Sequence, residues 1–117
     1  MTPLPEIQDY HAHVYFDGDS REQAKALREE IEGAFDIEMG RWHEKEVGPH
    51  PRWSYQVKFG PEQFALLVPW LMLNRRDLTI FLHPNTGNDL EDHHDRPIWM
   101  GEILPLKLAM FEAEQCP

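Results

Sequence analysis

Cysteine is nearly missing from this chain, with Cys116 standing alone. No intrachain disulfide can form, which fits a reducing compartment. No cysteine pair is present to hold zinc or run thiol redox chemistry. Positive charge is scarce as well: 11 Lys and Arg face 21 Asp and Glu, a formal charge of −10. A basic patch for nucleic acid and a polybasic membrane surface are therefore not expected. Long apolar runs are also lacking. The longest extends from Phe64 to Leu73, too short to span a bilayer. The first residues do not show the basic start and apolar stretch of a secretory leader, so a cytoplasmic protein is expected. Phosphate-binding glycine loops, the nucleophile elbow, repeats and low-complexity tracts are absent. The length of 117 residues suits one domain over residues 1–117, with its core in 8–106.

What the chain does have is histidine, seven in all, and a clear alternation of patterns. Residues 1–7 carry two prolines and read as an extended arm. Tyr10 to Phe16 predicts a strand, with Tyr10, Ala12, Val14 and Phe16 on one face and His11, His13 and Tyr15 on the other. Asp17-Gly18-Asp19 predicts a turn. Ser20 with Gln23 predicts a capping box, and Ala24, Leu27, Arg28 and Ile31 the inner stripe of a helix ended by Gly33. Phe35 to Trp42 predicts a second strand and residues 43–51 a turn-rich connector. Arg52 to Phe59 gives the cleanest period-two signal, a third strand. Pro61 opens a second helix, buried along Phe64, Leu67, Val68, Leu71 and Met72, which Pro69 is expected to kink or split. Leu78 to His83 predicts a fourth strand, residues 84–96 a long polar loop, and Ile98 to Ile103 a short last strand.

The order β-α-β-β-α-β predicts an α+β, ferredoxin-like domain. We expect an antiparallel four-stranded sheet of order 4-1-3-2 with both helices on one face. Its first and third strands are expected to run parallel. On that topology His11, His13, His50 and His83 meet at one end of the sheet, on the face away from the helices. Neutral imidazole binds zinc, iron and copper, and three or four such ligands make a mononuclear site. These four residues are thus the candidate metal ligands. His93 and His94 follow closely, and one of them can serve as an acid or base beside the metal. Arg52 has the parity of the same face and can grip a carboxylate with its guanidinium fork, or simply pair with a nearby acidic residue. His43 and Glu44 read as structural, and Trp42, Trp53, Trp70 and Trp99 as core or interface.

Several separated motifs now line up. The runs from Tyr10 to Phe16, Gly48 to Pro51, Val68 to Arg75 and His83 to Gly87, with Asp92-His93, resemble the DOPA 4,5-dioxygenase family of the small fungal and bacterial type. The resemblance covers about Tyr10 to Leu106. It implies a ferredoxin-like fold, often dimeric, and extradiol cleavage of a catechol such as L-DOPA by O2 on non-haem iron(II). Zinc is a possible substitute in purified protein. In that family 4,5-cleavage of DOPA gives a semialdehyde that cyclises to betalamic acid. His11, His13, His50, His83 and His93 fall in the matching motifs. In this chemistry His93, or whichever of His11 and His13 is not a ligand, would be the acid/base, and Arg52 would hold a substrate carboxylate. The common oxygenase set includes a carboxylate, for which Glu102 is the best-placed residue. The expected partners are a small catechol, O2 and a second copy of the chain. The competing expectations are a non-enzymatic metal- or small-molecule-binding module and a cofactor-free phenol oxidase.

Overall fold

The computed structural model of the protein describes residues 6–115. Cys116 and most of the predicted N-terminal arm lie outside the described residues. The elements are β1 (Asp9–Phe16), α1 (Arg21–Ala34), β2 (Glu38–Met39), β3 (Trp53–Phe59), α2 (Pro61–Asn74), β4 (Thr79–Asn85), α3 (Asp89–His94), β5 (Ile98–Met100) and α4 (Ala109–Gln115). Among the described residues no helix is long and apolar enough to cross a membrane.

Alternation along β1 sorts its side chains as the sequence predicts. Ala12, Val14 and Phe16 are buried with Ala24, Leu27 and Ile31 of α1 and Leu67, Val68 and Leu71 of α2. Full burial of each valine, leucine, isoleucine or phenylalanine side chain contributes about 1.5–3 kcal/mol, so this stripe fixes both helices to one face. Val57 and Phe59 of β3 and Ile80 and Leu82 of β4 complete the layer. The outward face of α2 leaves Leu66, Met72 and Leu73 exposed.

The sheet has five strands, not four, in the order β2-β3-β1-β4-β5. Every neighbouring pair is antiparallel. The expectation that the first and third strands run parallel is therefore wrong: Tyr10 faces Phe59 and Phe16 faces Trp53. The reason lies in the connections. The crossover through α1 makes β1 and β2 run in the same direction, as such crossovers do. The connector between β2 and β3 reverses the chain, so β3 enters between them antiparallel to both.

Several local readings also change. Ser20 is the N-cap of α1 but makes no side-chain cap bond. Its oxygen accepts instead from the Asp17 amide, and its hydroxyl donates to the Asp17 carboxylate, both at 2.9 Å. The helix runs past Gly33 to Ala34, where Phe35 packs on Trp70 with ring centroids 5.3 Å apart. Helix α2 continues through Pro69. The carbonyl deprived of its partner belongs to Ala65 on the exposed face, where water can satisfy it. The second strand shrinks to Glu38–Met39.

The predicted loop 84–96 divides into the end of β4, a turn and α3. Asn88 caps that helix, its side-chain oxygen accepting from the Glu91 amide at 3.1 Å. The second sheet face is not open. Tyr15, Phe81 and Leu104 form a second, smaller core with Trp99 and Leu106 packed on it, and Phe111 of α4 lies against His93 at 4.4 Å. The strand expected over Ile98 to Ile103 stops at Met100, and residues beyond 103, to which the sequence gives no element, roof part of the histidine face.

Candidate metal centre

The register of β1 and β4 builds the centre. His11 and His83 are directly opposed across the two strands, and His13 sits two residues along on the same face. Ring nitrogens of His11, His13 and His83 all lie within 4.8 Å of one another. His13 Nε2 and His83 Nε2 are 3.1 Å apart. His83 is in the middle of β4, not at its end, and is 1% exposed.

His50 arrives by a different route from the predicted one. With β3 antiparallel to β1, its start lies beside Phe16, at the far end of β1 from His11. The connector instead doubles back over the sheet. His43 bridges Ser54 through two backbone hydrogen bonds of 3.0 and 3.1 Å, and the Pro49 carbonyl accepts from Lys107 at 2.9 Å. Gly48 turns the chain with φ of +53°, a left-handed value that glycine adopts freely. The His50 ring then lies 4.2 Å from that of His13. Its Nδ1 meets the Tyr15 hydroxyl at 2.6 Å. His50 is not one of the three residues whose nitrogens converge.

His93 comes from α3 and packs against the His83 ring, with centroids 4.0 Å apart and the planes tilted by 37°. Its Nδ1 donates to the Asp89 carbonyl at 2.7 Å. The helix is pinned by Asp92, whose fully buried carboxylate accepts from the Thr86 amide (2.7 Å), the Thr86 hydroxyl (2.8 Å) and Arg96 (2.9 Å). Beside the rings lies a pocket of about 210 Å³ lined by His13, His43, Val47, Gly48, Pro49, His50, Ser54 and Gln56.

Other candidates are placed elsewhere. Arg52 pairs with Glu102 at 3.1 Å, next to the Phe16–Trp53 end of the sheet. The cleft they share is lined by Asp17, Asp77 and Thr79 and by no histidine. Glu102, the predicted carboxylate, is thus turned to Arg52. His94 is exposed and pairs with Asp95 at 2.6 Å. Glu44 pairs with Arg21 on the helix side.

Burial decides the protonation of the cluster. It pushes His13 well below its ordinary value, with the neighbouring imidazoles adding to the effect. His50 is lowered to about 4 and His83 to about 3, again chiefly by burial. His11 is lowered by burial against the opposing pull of the Asp9 carboxylate. These imidazoles are neutral at physiological pH and carry lone pairs. In His83 the Pro84 carbonyl holds Nδ1 as the donor at 2.9 Å, so the lone pair is on Nε2, facing His13. Such a backbone acceptor behind a ligating imidazole is the usual support of a metal site. Two nitrogens bonded to one ion at roughly 2.1 Å lie about 3.0–3.4 Å apart, which brackets the His13–His83 spacing. The three residues fit a divalent transition metal.

A pH dependence follows for the metal-free protein. An unfolded histidine titrates near 6.5, whereas His50 and His83 do so far lower in the fold. Between those values the unfolded chain binds protons that the folded chain refuses, so stability rises with pH. It is full above about pH 6.5 and falls as pH drops towards 4, by about 1.4 kcal/mol per pH unit for each such histidine. Urea midpoints of metal-free protein at about pH 7.5 and pH 5 check this, and a midpoint that does not fall at the lower pH contradicts it.

The sequence alone assigns no role to Tyr15, Asp92 or Gln56, which the structure adds around the site. Tyr15 shares the parity of His11 and His13, which was the available signal. Asn88 followed three residues later by Glu91 is a helix-start pattern and marks α3. Gln56 shares the strand parity of Arg52 and so the histidine face, but its pairing opposite His13 depends on the direction of β3.

Comparison with known proteins gives one consistent result. The family model described as "Dopa 4,5-dioxygenase family" matches residues 10–110. An uncharacterized 21.2 kDa protein of Botryotinia fuckeliana is 39% identical over 113 residues, spanning 86% of this chain and 62% of the relative. A DOPA 4,5-dioxygenase of Amanita muscaria is 35% identical over 113 residues, spanning 89% of this chain and 50% of the relative. The chain thus spans between half and two thirds of the length of these fungal proteins. A crystal structure from Nostoc punctiforme, named "putative dioxygenase", superposes with a TM-score of 0.89 at 45% identity, covering 94% of this chain and 95% of that one.

Proposed function

This chain belongs to the Dopa 4,5-dioxygenase family, and from that premise we propose that it is an extradiol dioxygenase that opens a catechol ring, such as that of L-DOPA, using histidine-bound iron(II) and O2. The observation that carries this reading is the convergence of His11, His13 and His83 beside a pocket lined by His13 and His50. Three neutral imidazoles would hold iron(II) while leaving coordination positions for substrate. When bound, iron(II) supplies one contact point for catechol and O2 and a path for electrons between them.

The chain's own residues do the rest. The strand register sets the three rings before any ligand arrives, so little reorganisation is needed on binding. His93, tethered at Nδ1 to the Asp89 carbonyl, takes a catechol proton on its other ring nitrogen and returns it as the ring opens. His13 is the alternative base if it is not a ligand. Tyr15, Phe81, Leu104 and Trp99 exclude water from the inner side of the site. A substrate carboxylate would have to displace Glu102 to reach Arg52.

The test is direct. Anaerobic protein loaded with iron(II) is mixed with L-DOPA and air is admitted. Oxygen uptake with a yellow ring-opened product is expected. Metal retention without turnover of any catechol would leave a binding module and sink the enzyme reading.

A further inference from the structure

Tyr15 and His50 form a buried pair whose chemistry differs from that of the other histidines. The hydroxyl to Nδ1 distance is 2.6 Å, and Tyr15 is 1% exposed. No other hydrogen bond of the Tyr15 hydroxyl is found among the described residues. A phenol is protonated at neutral pH, and a buried hydroxyl hydrogen with no acceptor costs about 1–3 kcal/mol. That hydrogen has one acceptor within reach, His50 Nδ1. Accepting there requires the lone pair on Nδ1, so in the neutral ring the proton is on Nε2. The reverse arrangement, with Nδ1 donating to the phenol oxygen, would leave the phenol's own hydrogen unpaired.

We propose that Tyr15 is a positioning residue that locks His50 as its Nε2–H tautomer, so that His50 offers the pocket a hydrogen-bond donor and not a metal-binding lone pair. The inference rests on the dioxygenase reading only for the ligand concerned, an anionic oxygen of a catechol. It takes His50 out of the four-histidine ligand set expected from the sequence. Three independent features agree with it. His50 lies outside the group of converging nitrogens. It lines the pocket together with Ser54 and Gln56, two other residues able to donate. Its backbone is fixed in a turn, its own amide donating to the Val47 carbonyl at 3.0 Å. A neutral donor aimed at a developing or bound oxyanion stabilises charge without a proton being transferred.

Long-range proton–nitrogen correlation spectra of labelled protein, metal-free and loaded with zinc as a diamagnetic stand-in, read each ring directly at neutral pH. His50 is expected to show a protonated Nε2 and an unprotonated, hydrogen-bonded Nδ1 in both states. Zinc is expected to shift nitrogens of His11, His13 and His83 and leave the His50 pattern in place. In Tyr15→Phe, which keeps the ring that packs in the core, His50 should pass to a mixture of tautomers. With 4-nitrocatechol as probe, His50→Phe should bind about tenfold or more weakly and His50→Gln, which retains an N–H donor, should recover part of the loss. An Nδ1–H tautomer in the native protein, a coordination shift of His50 on adding zinc, or equal probe affinity in His50→Phe would each overturn the proposal. If zinc moves none of the three other rings, the metal reading fails while the tautomer of His50 is still read.

Discussion

Alanine in place of His83 is expected to abolish metal retention. His83 ties the centre together: it opposes His11 across the strands, faces His13 Nε2 at 3.1 Å and packs against the His93 ring. Changing a residue that merely supports a metal ligand costs about 10–100-fold in affinity. Losing one of three ligands should exceed the upper end of that range. The measurement is metal content after dialysis, with zinc or iron(II) titration for the affinity. His94→Ala is the matched control, since that ring is exposed and paired with Asp95, and it should retain metal as the native protein does. Retention by His83→Ala at the native level would remove His83 from the ligand set. Urea unfolding of the same variant separates lost ligation from lost folding.

The largest effect on stability is expected at Asp92. Its carboxylate is fully buried and accepts three hydrogen bonds, from the Thr86 amide, the Thr86 hydroxyl and Arg96. Removing one partner of a buried charged pair costs about 3–5 kcal/mol. Arg96 retains some contact with water and a second partner, Glu91 at 2.5 Å, so Asp92→Ala should cost about 3 kcal/mol, the lower end. Asp92→Asn keeps an oxygen for the Thr86 amide and should lose less. Urea denaturation curves give both values, and a loss below about 1 kcal/mol for Asp92→Ala would show that the network contributes little. The change should also reach the metal centre, because α3 is what presses His93 onto His83.

Much of this arrangement is legible in the chain itself. The apolar positions of β1 and β3 alternate strictly, and the inner faces of α1 and α2 follow helical spacing, so the main core is written locally. The parity of His11 and His13 puts them on the opposite face for the same reason. Three of the four predicted ligands do converge. The fourth is brought near by a mechanism the strand pattern does not contain. The expected parallel pairing of the first and third strands predicted His50 at the right place for the wrong reason. The actual approach depends on a bridge between His43 and Ser54 and on the left-handed turn at Gly48. Arg52 shows the reverse case: its parity is compatible with the histidine face, yet Glu102 holds it at the other end of the sheet.

Composition and periodicity by themselves determined that this is an acidic α+β protein, with two amphipathic faces on one side of a sheet and imidazoles on the other. Such properties depend on side chains a few residues apart, where strand and helix periods fix direction. Only the tertiary structure decided the direction of β3 and the addition of β5. It also decided the burial of the second face by residues after 100, and which imidazole nitrogens face one another. Those outcomes depend on contacts between separate elements of the chain, from Leu82 with Ile98 in the last strand pair to Tyr15 with His50 and His13 with His83, 35 and 70 positions apart. No local period encodes contacts at that separation.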